Sequence, residues 1–397
     1  MPVALGSIYL LTLAVGSLCY RPRPLQAEPR SRLTVIVPAH DEAGMIADCV
    51  RSLLSQRYQR ELYRVVVIAD NCTDATAAIA AAGGAEVLVR QVPTLRGKGP
   101  ALRWAMDRLL DVSPAPDAVV VVDADSIADV DMLRELEAVF AAGHPVVQAD
   151  DVLRIHPGQP RALLEAAALL LRNRVRFAGR AMFGLPASLC GNGMLLGRSV
   201  LAAHPWHAFS GAEDGEYSLS LLLAGFPTTF AAKAQVVAAP TEGGQGAYTQ
   251  SLRWDGGRLA LARSWIWRLL ISSLRRRDSA LLSVAMDLAV PPLGALVMAT
   301  LIGNIVFLAL LVAGATSAWT GTLWLLALVA LPSYLLVGLS SCRVPAATYV
   351  AFLRAPLFLA SKLRVYADLV RHLDASRWVR TERPHEVQAT QGDSETP

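Results

Sequence analysis

The sequence is short of cysteine, of charge and of aromatic residues, and each shortage removes a class of protein. Five cysteines among 397 residues (Cys19, Cys49, Cys72, Cys190, Cys342) are odd in number and scattered, with no CxxC pair. Neither a disulfide framework nor a zinc site is indicated, and a reducing compartment suits the catalytic part. Charged residues make up 18% of the chain, aromatics only 7%, and Lys plus Arg (37) barely exceed Asp plus Glu (33). The basic residues are not interleaved with aromatics along one stretch as a nucleic-acid groove requires, so nucleic acid is not an expected partner. Apolar residues are what the chain has in excess: 53% are hydrophobic and the mean hydropathy is +0.39. That is too apolar for an ordinary soluble enzyme of this length, and part of the chain is expected in lipid.

Three stretches are long and apolar enough to cross a bilayer. The first, Val3 to Cys19, is followed directly by Arg21 and Arg23. No basic segment precedes it, which favours an anchor over a cleavable signal peptide. A second runs from about Ala289 to Ala315, and a third from Trp319 to Leu339, with Trp319 and Trp324 where interfacial aromatics sit. Basic residues follow the first span and fill Arg343 to Arg383, while the segment between spans two and three carries no charge. This asymmetry predicts a multi-pass protein of the inner (plasma) membrane with its middle domain and tail cytoplasmic. Arg258 to Arg277 alternates apolar clusters with arginines at helical spacing and reads as a helix lying in the headgroup layer. Ala346 to Val370 is interrupted by Arg354, Lys362 and Arg364 and kinked by Pro356, so it reads as amphipathic, with a fourth span as the alternative. The expected organisation is 1–29 anchor and linker, 30–257 catalytic domain, 258–285 interfacial helices, 286–341 two spans, and 342–397 an amphipathic helix with a disordered tail.

Between about Arg30 and Gln250 the runs LTVIVP, RVVVIAD, EVLV and AVVVVDAD alternate with Ala-rich helical patterns, which predicts an open, mainly parallel α/β sheet. Such sheets bind ligands beyond the carboxyl ends of their strands. Three runs end in acidic clusters: Asp41-Glu42, Asp70 to Asp74, and Asp123-Ala124-Asp125. Singly, Asp41, Thr73 and Ser126 could each cap the next helix; together the clusters predict one site. Carboxylates two apart on a strand end point to one side, so Asp123 and Asp125 can share a hard cation, Mg²⁺ or Mn²⁺, that also takes substrate phosphates. Glu213-Asp214 precedes an apolar helix, where capping is the alternative role. In Gln250-Ser251-Leu252-Arg253-Trp254, helical spacing makes Gln250 and Trp254 neighbours, an amide and an indole plate suited to stacking a sugar, while Arg253 can reach a phosphate. An interfacial Trp-Arg pair is the alternative there.

With DxD, Glu-Asp and QxxRW at these positions, residues 33–258 resemble the family 2 glycosyltransferases of the GT-A fold, especially the membrane branch with the cellulose, chitin and hyaluronan synthases. The resemblance implies a Rossmann-like domain that transfers a hexose or N-acetylhexosamine from a UDP-sugar with inversion. It assigns Asp70 to the base, Ala39, His40 and Glu42 to the nucleoside, Lys98 to the diphosphate, Asp123 to donor and metal, and Asp125 to the metal. It makes Asp214, beside Glu213, the general base that an alcohol nucleophile needs, with Gln250, Arg253 and Trp254 completing the catalytic set. Gly191 and Asn192, in Cys190-Gly191-Asn192-Gly193, resemble the acceptor-side loop, where Trp254 also acts.

The leading expectation is synthesis of a polysaccharide or oligosaccharide by extension of a glycan. The large synthases carry more spans and a gating-loop motif that Asp255 to Asp287 lacks, so the nearest architectural likeness is to short chitooligosaccharide synthases. A single-transfer glycolipid enzyme is the runner-up, and an inactive glycan-binding scaffold the alternative from another class. Expected partners are the nucleotide-sugar donor, a glycan or lipid acceptor, membrane lipid, and other secretion or synthase subunits. The arginine run Arg172, Arg174, Arg176 and Arg180 reads as a solvated or membrane-surface face, and Asp287 as an interfacial residue.

Overall fold

The computed structural model describes residues 2–22, 28–155, 158–239 and 244–371. Its contacts form two compact units, one of Pro22–Arg154 with Ala187–Gly257, the other of Met1–Arg21, Ile155–Pro186 and Arg258–Leu373.

In the first unit, eight strands form one sheet: β1 (Leu33–Ala39), β2 (Tyr63–Asp70), β3 (Glu86–Arg90), β4 (Ala118–Val121), β5 (Ser126–Ala128), β6 (Val146–Leu153), β7 (Met194–Gly197) and β8 (Thr229–Ala238). The order is β3-β2-β1-β4-β7-β6-β8-β5. β1 pairs in parallel with β2 and β4, β2 with β3, and β6 with β8, while β7 runs antiparallel to both β4 and β6, and β5 antiparallel to β8. The four runs legible in the sequence are β1 to β4, and their continuous apolar character has a direct cause. Val35, Val37, Val65, Val67 and Val120 pack into one hydrophobic cluster, and the intervening Ile36, Val66, Ile68, Val119 and Val121 pack into another on the opposite face. Both faces of β1, β2 and β4 are buried, so their central residues cannot be polar, while the edge strand β3 keeps Glu86 and Val89 exposed. The other four strands do not announce themselves: β6 (VVQADDVL) carries two aspartates and β8 (TFAAKAQVVA) a lysine and a glutamine. Their alternation is broken further by a register shift between Ala149 and Asp150.

The second unit holds three helices long and apolar enough to cross a membrane, Pro2–Cys19, Leu293–Val312 and Trp319–Ser341. Residues 346–371 form instead two short helices and a one-turn link, Ala346–Ala351, Phe352–Arg354 and Ala355–Arg371. The tail expected to be disordered, 372–397, lies outside the described residues, as does 23–27 of the linker. The helix expected to be interfacial is longer than its sequence pattern: Gly244–Arg276 is continuous, so QxxRW and the arginine-rich segment share one helix. On its distal half, Trp267, Ile271 and Leu274 are exposed beside Arg268 and Arg275.

The arginine run is not a solvated face. Arg176 and Arg180 are buried, as is Asp287. Arg176 Nε donates to Asp287 Oδ1 at 2.7 Å and its Nη2 to the Asp287 carbonyl at 2.7 Å; Arg180 Nη1 lies 3.3 Å from the same Oδ1, and the Tyr9 hydroxyl donates to it at 2.8 Å. Arg258 Nη2 donates to the carbonyls of Asp287 (2.7 Å) and Val290 (3.1 Å), at the end of the helix Ser279–Ala289. Burial, with Arg176 alongside, brings the Arg258 guanidinium down to about 9. Arginines at i and i+4 look like surface charge in a sequence; here one carboxylate, 107 or more residues away, draws them inside.

Candidate active site

The parallel pairing brings the carboxyl ends of β1, β2 and β4 to one edge, and the acidic clusters meet there as expected. His40 Nδ1 lies 2.7 Å from the Asp70 carbonyl, and the Asp41 carboxylate accepts the Thr73 N–H at 2.6 Å. The Glu42 N–H donates to Thr76 Oγ1 at 2.7 Å, and Ala39 O accepts from the Cys72 thiol at 3.5 Å. Among the described residues, Asp41, Cys72 and Asp74 are the group whose ligand atoms all lie within 4.8 Å of one another. Their carboxylates are occupied with the turn: Asp74 accepts from the N–H groups of Thr76 (2.9 Å) and Ala43 (3.0 Å). Burial alone would raise the Asp74 carboxyl, but these hydrogen bonds hold it below the usual range.

Asp70 is placed differently from a simple base contact. It is buried, and its Oδ1 accepts the Arg90 guanidinium, from the end of β3, and the Asn71 side-chain amide at 3.0 Å. Arg90 in turn donates to the Leu95 carbonyl at 2.9 Å, and Asn71 Oδ1 accepts the Val92 N–H at 2.7 Å. The pair therefore fixes the chain leading to Lys98. Neither Arg90 nor Asn71 stood out in the sequence; a charge ending the run EVLVR was the available signal.

The Asp123-Ala124-Asp125 segment is a turn, not a strand end, because β4 stops at Val121. Strand alternation therefore does not align its carboxylates. Both nevertheless act on one atom: burial first, then the charges of Asp125 and Asp123, push the Cys49 thiol up.

Lys98 is the centre of the site. Its ammonium donates to Asp123 Oδ1 and, at 2.6 Å, to the Gly191 carbonyl. Burial opposes the charge, but Asp123, Glu213 and Asp214 outweigh it and hold Lys98 above the usual lysine value. Gly191 has φ +84°, and a Cβ there would stand 3.2 Å from both Asp214 Oδ2 and Lys98 Nζ. Residues 98, 123, 191 and 213–214 thus converge on one point. Gly191→Ala should cost about 1–3 kcal/mol from the left-handed backbone, and it should lower turnover by displacing Lys98 or Asp214. Chemical denaturation and initial rates check the two effects separately.

Arg253 belongs to the same neighbourhood, since its charge reaches Glu213. The reason is a close approach: a Cβ on Gly257, one turn along the QxxRW helix, would lie 2.8 Å from the Ala212 side chain. That packing carries the helix bearing Gln250, Arg253 and Trp254 against the residue preceding Glu213. Burial and the adjacent Asp214 charge raise Glu213 from 4.5 to about 7, with Lys98 and Arg253 opposing. A raised carboxyl favours folding while protonated, so this contribution is complete below about 4.5 and disappears as pH climbs through about 7. Thermal melts across that window should fall with pH, and Glu213→Gln should flatten the slope.

Asn192 does not face an open acceptor space. It is 3% exposed, and its side chain is used inside the protein. Oδ1 accepts the Asp123 N–H at 3.1 Å, and Nδ2 donates to Ser126 Oγ at 3.0 Å and to Asp151 Oδ1 at 2.9 Å.

Residues 29–257 match the family model described as "Glycosyltransferase like family 2". The low-salt glycan biosynthesis hexosyltransferase Agl6 of Haloferax volcanii is 32% identical over 111 residues, covering 28% of this chain and 25% of that protein. The beta-monoglucosyldiacylglycerol synthase of Trichormus variabilis is 31% identical over 153 residues, covering 35% of this chain and 32% of that protein. The matches thus span about a quarter to a third of these curated relatives. Among solved structures, the mannosyltransferase PcManGT of Pyrobaculum calidifontis, in complex with GDP-Man and Mn²⁺, aligns with TM-score 0.46 and 18% identity over 85% of this chain and 98% of that one.

Proposed function

The chain belongs to glycosyltransferase family 2, and from that premise we propose that it is a membrane-bound, inverting enzyme moving a hexose or N-acetylhexosamine from a UDP-sugar to an acceptor hydroxyl presented at the membrane. The observation that carries the reading is Lys98: its ammonium is paired with Asp123, feels the charges of Glu213 and Asp214, and shares with Asp214 Oδ2 the neighbourhood of Gly191. A donor-side carboxylate and a candidate base share one small volume, which is what direct transfer between two substrates requires.

A hard divalent cation fits this donor set. Asp123 and Asp125 are oxygen donors two residues apart on one turn, and the site already attracts a cation, since Asp123 holds the Lys98 ammonium. Asp123 and Asp125 would hold Mg²⁺ or Mn²⁺, which would neutralise charge developing on the diphosphate leaving group. Lys98, relieved of Asp123, would turn its ammonium to the same phosphates. Asp214 would accept the proton of the attacking hydroxyl. Glu213, raised to about 7, is poised between its two protonation states near neutrality and can hydrogen-bond the acceptor in either role. Trp254, at the end of QxxRW, would stack the acceptor ring.

The three apolar helices and the exposed Trp267, Ile271 and Leu274 beside arginines support an acceptor carried at the membrane, a growing glycan or a lipid. Purified protein in mixed lipid vesicles, given labelled UDP-sugars one at a time, should transfer label only with Mg²⁺ or Mn²⁺. A ladder of products identifies glycan extension; a single organic-extractable product identifies a glycolipid. Asp125→Asn should abolish the metal-dependent transfer without changing the melting temperature. Equal activity with and without chelator would overturn the metal assignment.

A further inference from the structure

Gly191, Asn192 and Gly193 of the loop Cys190 to Gly193 are all buried, and the asparagine side chain is used inside the protein. The buried Gln148 fixes the loop from below: its Oε1 accepts the Cys190 N–H at 2.8 Å and its Nε2 donates to the Asn192 carbonyl at 2.7 Å. The Asn192 amide can adopt only one orientation, because one end faces a backbone N–H, a certain donor, and the other faces the Asp151 carboxylate, a certain acceptor. With Oδ1 on the Asp123 N–H and Nδ2 on Ser126 Oγ, that single amide grips the Asp123–Asp125 turn at both ends. The chain continues to the second candidate ligand, for the Ser126 hydroxyl donates to Asp125 Oδ1 at 3.2 Å. Asp151, on β6, thereby sets the amide that sets the turn.

We propose that Asn192 is a positioning residue for the acidic turn and not an acceptor contact, with Asp151 orienting it and Ser126 relaying its hold to Asp125. The turn needs such a device. It links β4 to β5, and although the Ser126 and Ala239 N–H groups hold its backbone at the Asp123 and Asp125 carbonyls, strand alternation does not set the direction of its two carboxylates, and ligand residues without supporting hydrogen bonds bind cations loosely. The proposal rests on the metal-dependent reading of the site, and the experiment separates the two.

Mn²⁺ alone is titrated into the purified full-length protein, with free Mn²⁺ followed by electron paramagnetic resonance. Unaltered protein that binds no Mn²⁺ overturns the metal reading and the proposal with it. If it binds, Asn192→Ala should weaken Mn²⁺ by about 10–100-fold, the range expected for loss of a supporting hydrogen-bond partner. Unchanged affinity in Asn192→Ala overturns the positioning role while leaving the metal site intact. Asn192→Asp sets two buried carboxylates against each other at position 151 and should also bind weakly. Combined with Asp151→Asn the clash is removed, because the carboxylate accepts the new amide, but position 192 still has no donor for Ser126 Oγ, so the melting temperature should recover while Mn²⁺ binding stays weak. Wild-type Mn²⁺ affinity in this double variant overturns the relay through Ser126. Should Asn192→Ala fail to fold, Ser126→Ala keeps the amide and breaks only the relay to Asp125. Weaker Mn²⁺ binding there supports the chain of contacts, and wild-type binding overturns it.

Discussion

Replacing Asp214 with asparagine is expected to lower kcat by about 10²–10⁴-fold, the usual contribution of a general base, while donor binding and melting temperature stay close to wild type. The fold should survive because the contact the side chain makes is one asparagine can keep: Asp214 Oδ1 accepts the Gly215 N–H at 2.7 Å. What asparagine cannot do is take a proton. A second readout accompanies the first. The Asp214 charge is one of the influences that raise Glu213 to about 7, so removing it should bring Glu213 down toward its ordinary 4.5. The pH dependence of residual stability should move to lower pH in the same variant. Transfer within tenfold of wild type would remove Asp214 from the chemistry and leave Glu213 as the candidate.

Asp287→Ala should be the most damaging single change to stability, at about 3–5 kcal/mol, because it strips the carboxylate from a buried ion pair and leaves its partners charged. Arg176 and Arg180 would lose their common oxygen, and Tyr9 its acceptor. Arg258 would keep its bonds to the carbonyls of residues 287 and 290, so it should suffer least. Thermal melts in detergent measure the loss. A double replacement, Arg176→Met with Asp287→Leu, should be less harmful than Asp287→Ala alone, since charge and counter-charge leave together. If the single change costs under about 1 kcal/mol, the value of an exposed pair, the cluster is solvated and its burial is not what holds those helices.

Much of this molecule is legible from one dimension because burial writes itself into composition. β1, β2 and β4 are covered on both faces over most of their length, so their central residues are apolar, and the runs LTVIVP and AVVVVDAD record that directly. The three helices long enough to cross a bilayer are legible for the same reason, lipid being an apolar solvent on all sides. The polar residues that end such runs then mark the candidate site, and Asp123 and Asp125 were found that way, whereas Glu213 and Asp214 came from the resemblance to the family 2 glycosyltransferases. β6 and β8 escaped notice because their polar residues have partners that no local pattern reveals: the Asp151 carboxylate is buried against Asn192, 41 residues away.

By itself, then, the sequence determined which segments are apolar, which runs become β1 to β4, and which acidic and QxxRW residues are available for chemistry. Only the tertiary structure decided who holds whom. Arg90 neutralises Asp70, Lys98 pairs with Asp123 near Asp214, Asn192 faces the acidic turn instead of solvent, and Asp287 draws Arg176 and Arg180 inside. A side chain's hydrophobicity is its own property and can be read residue by residue. A buried charge is tolerable only with its counter-charge, and that partner is brought from elsewhere in the chain by folding.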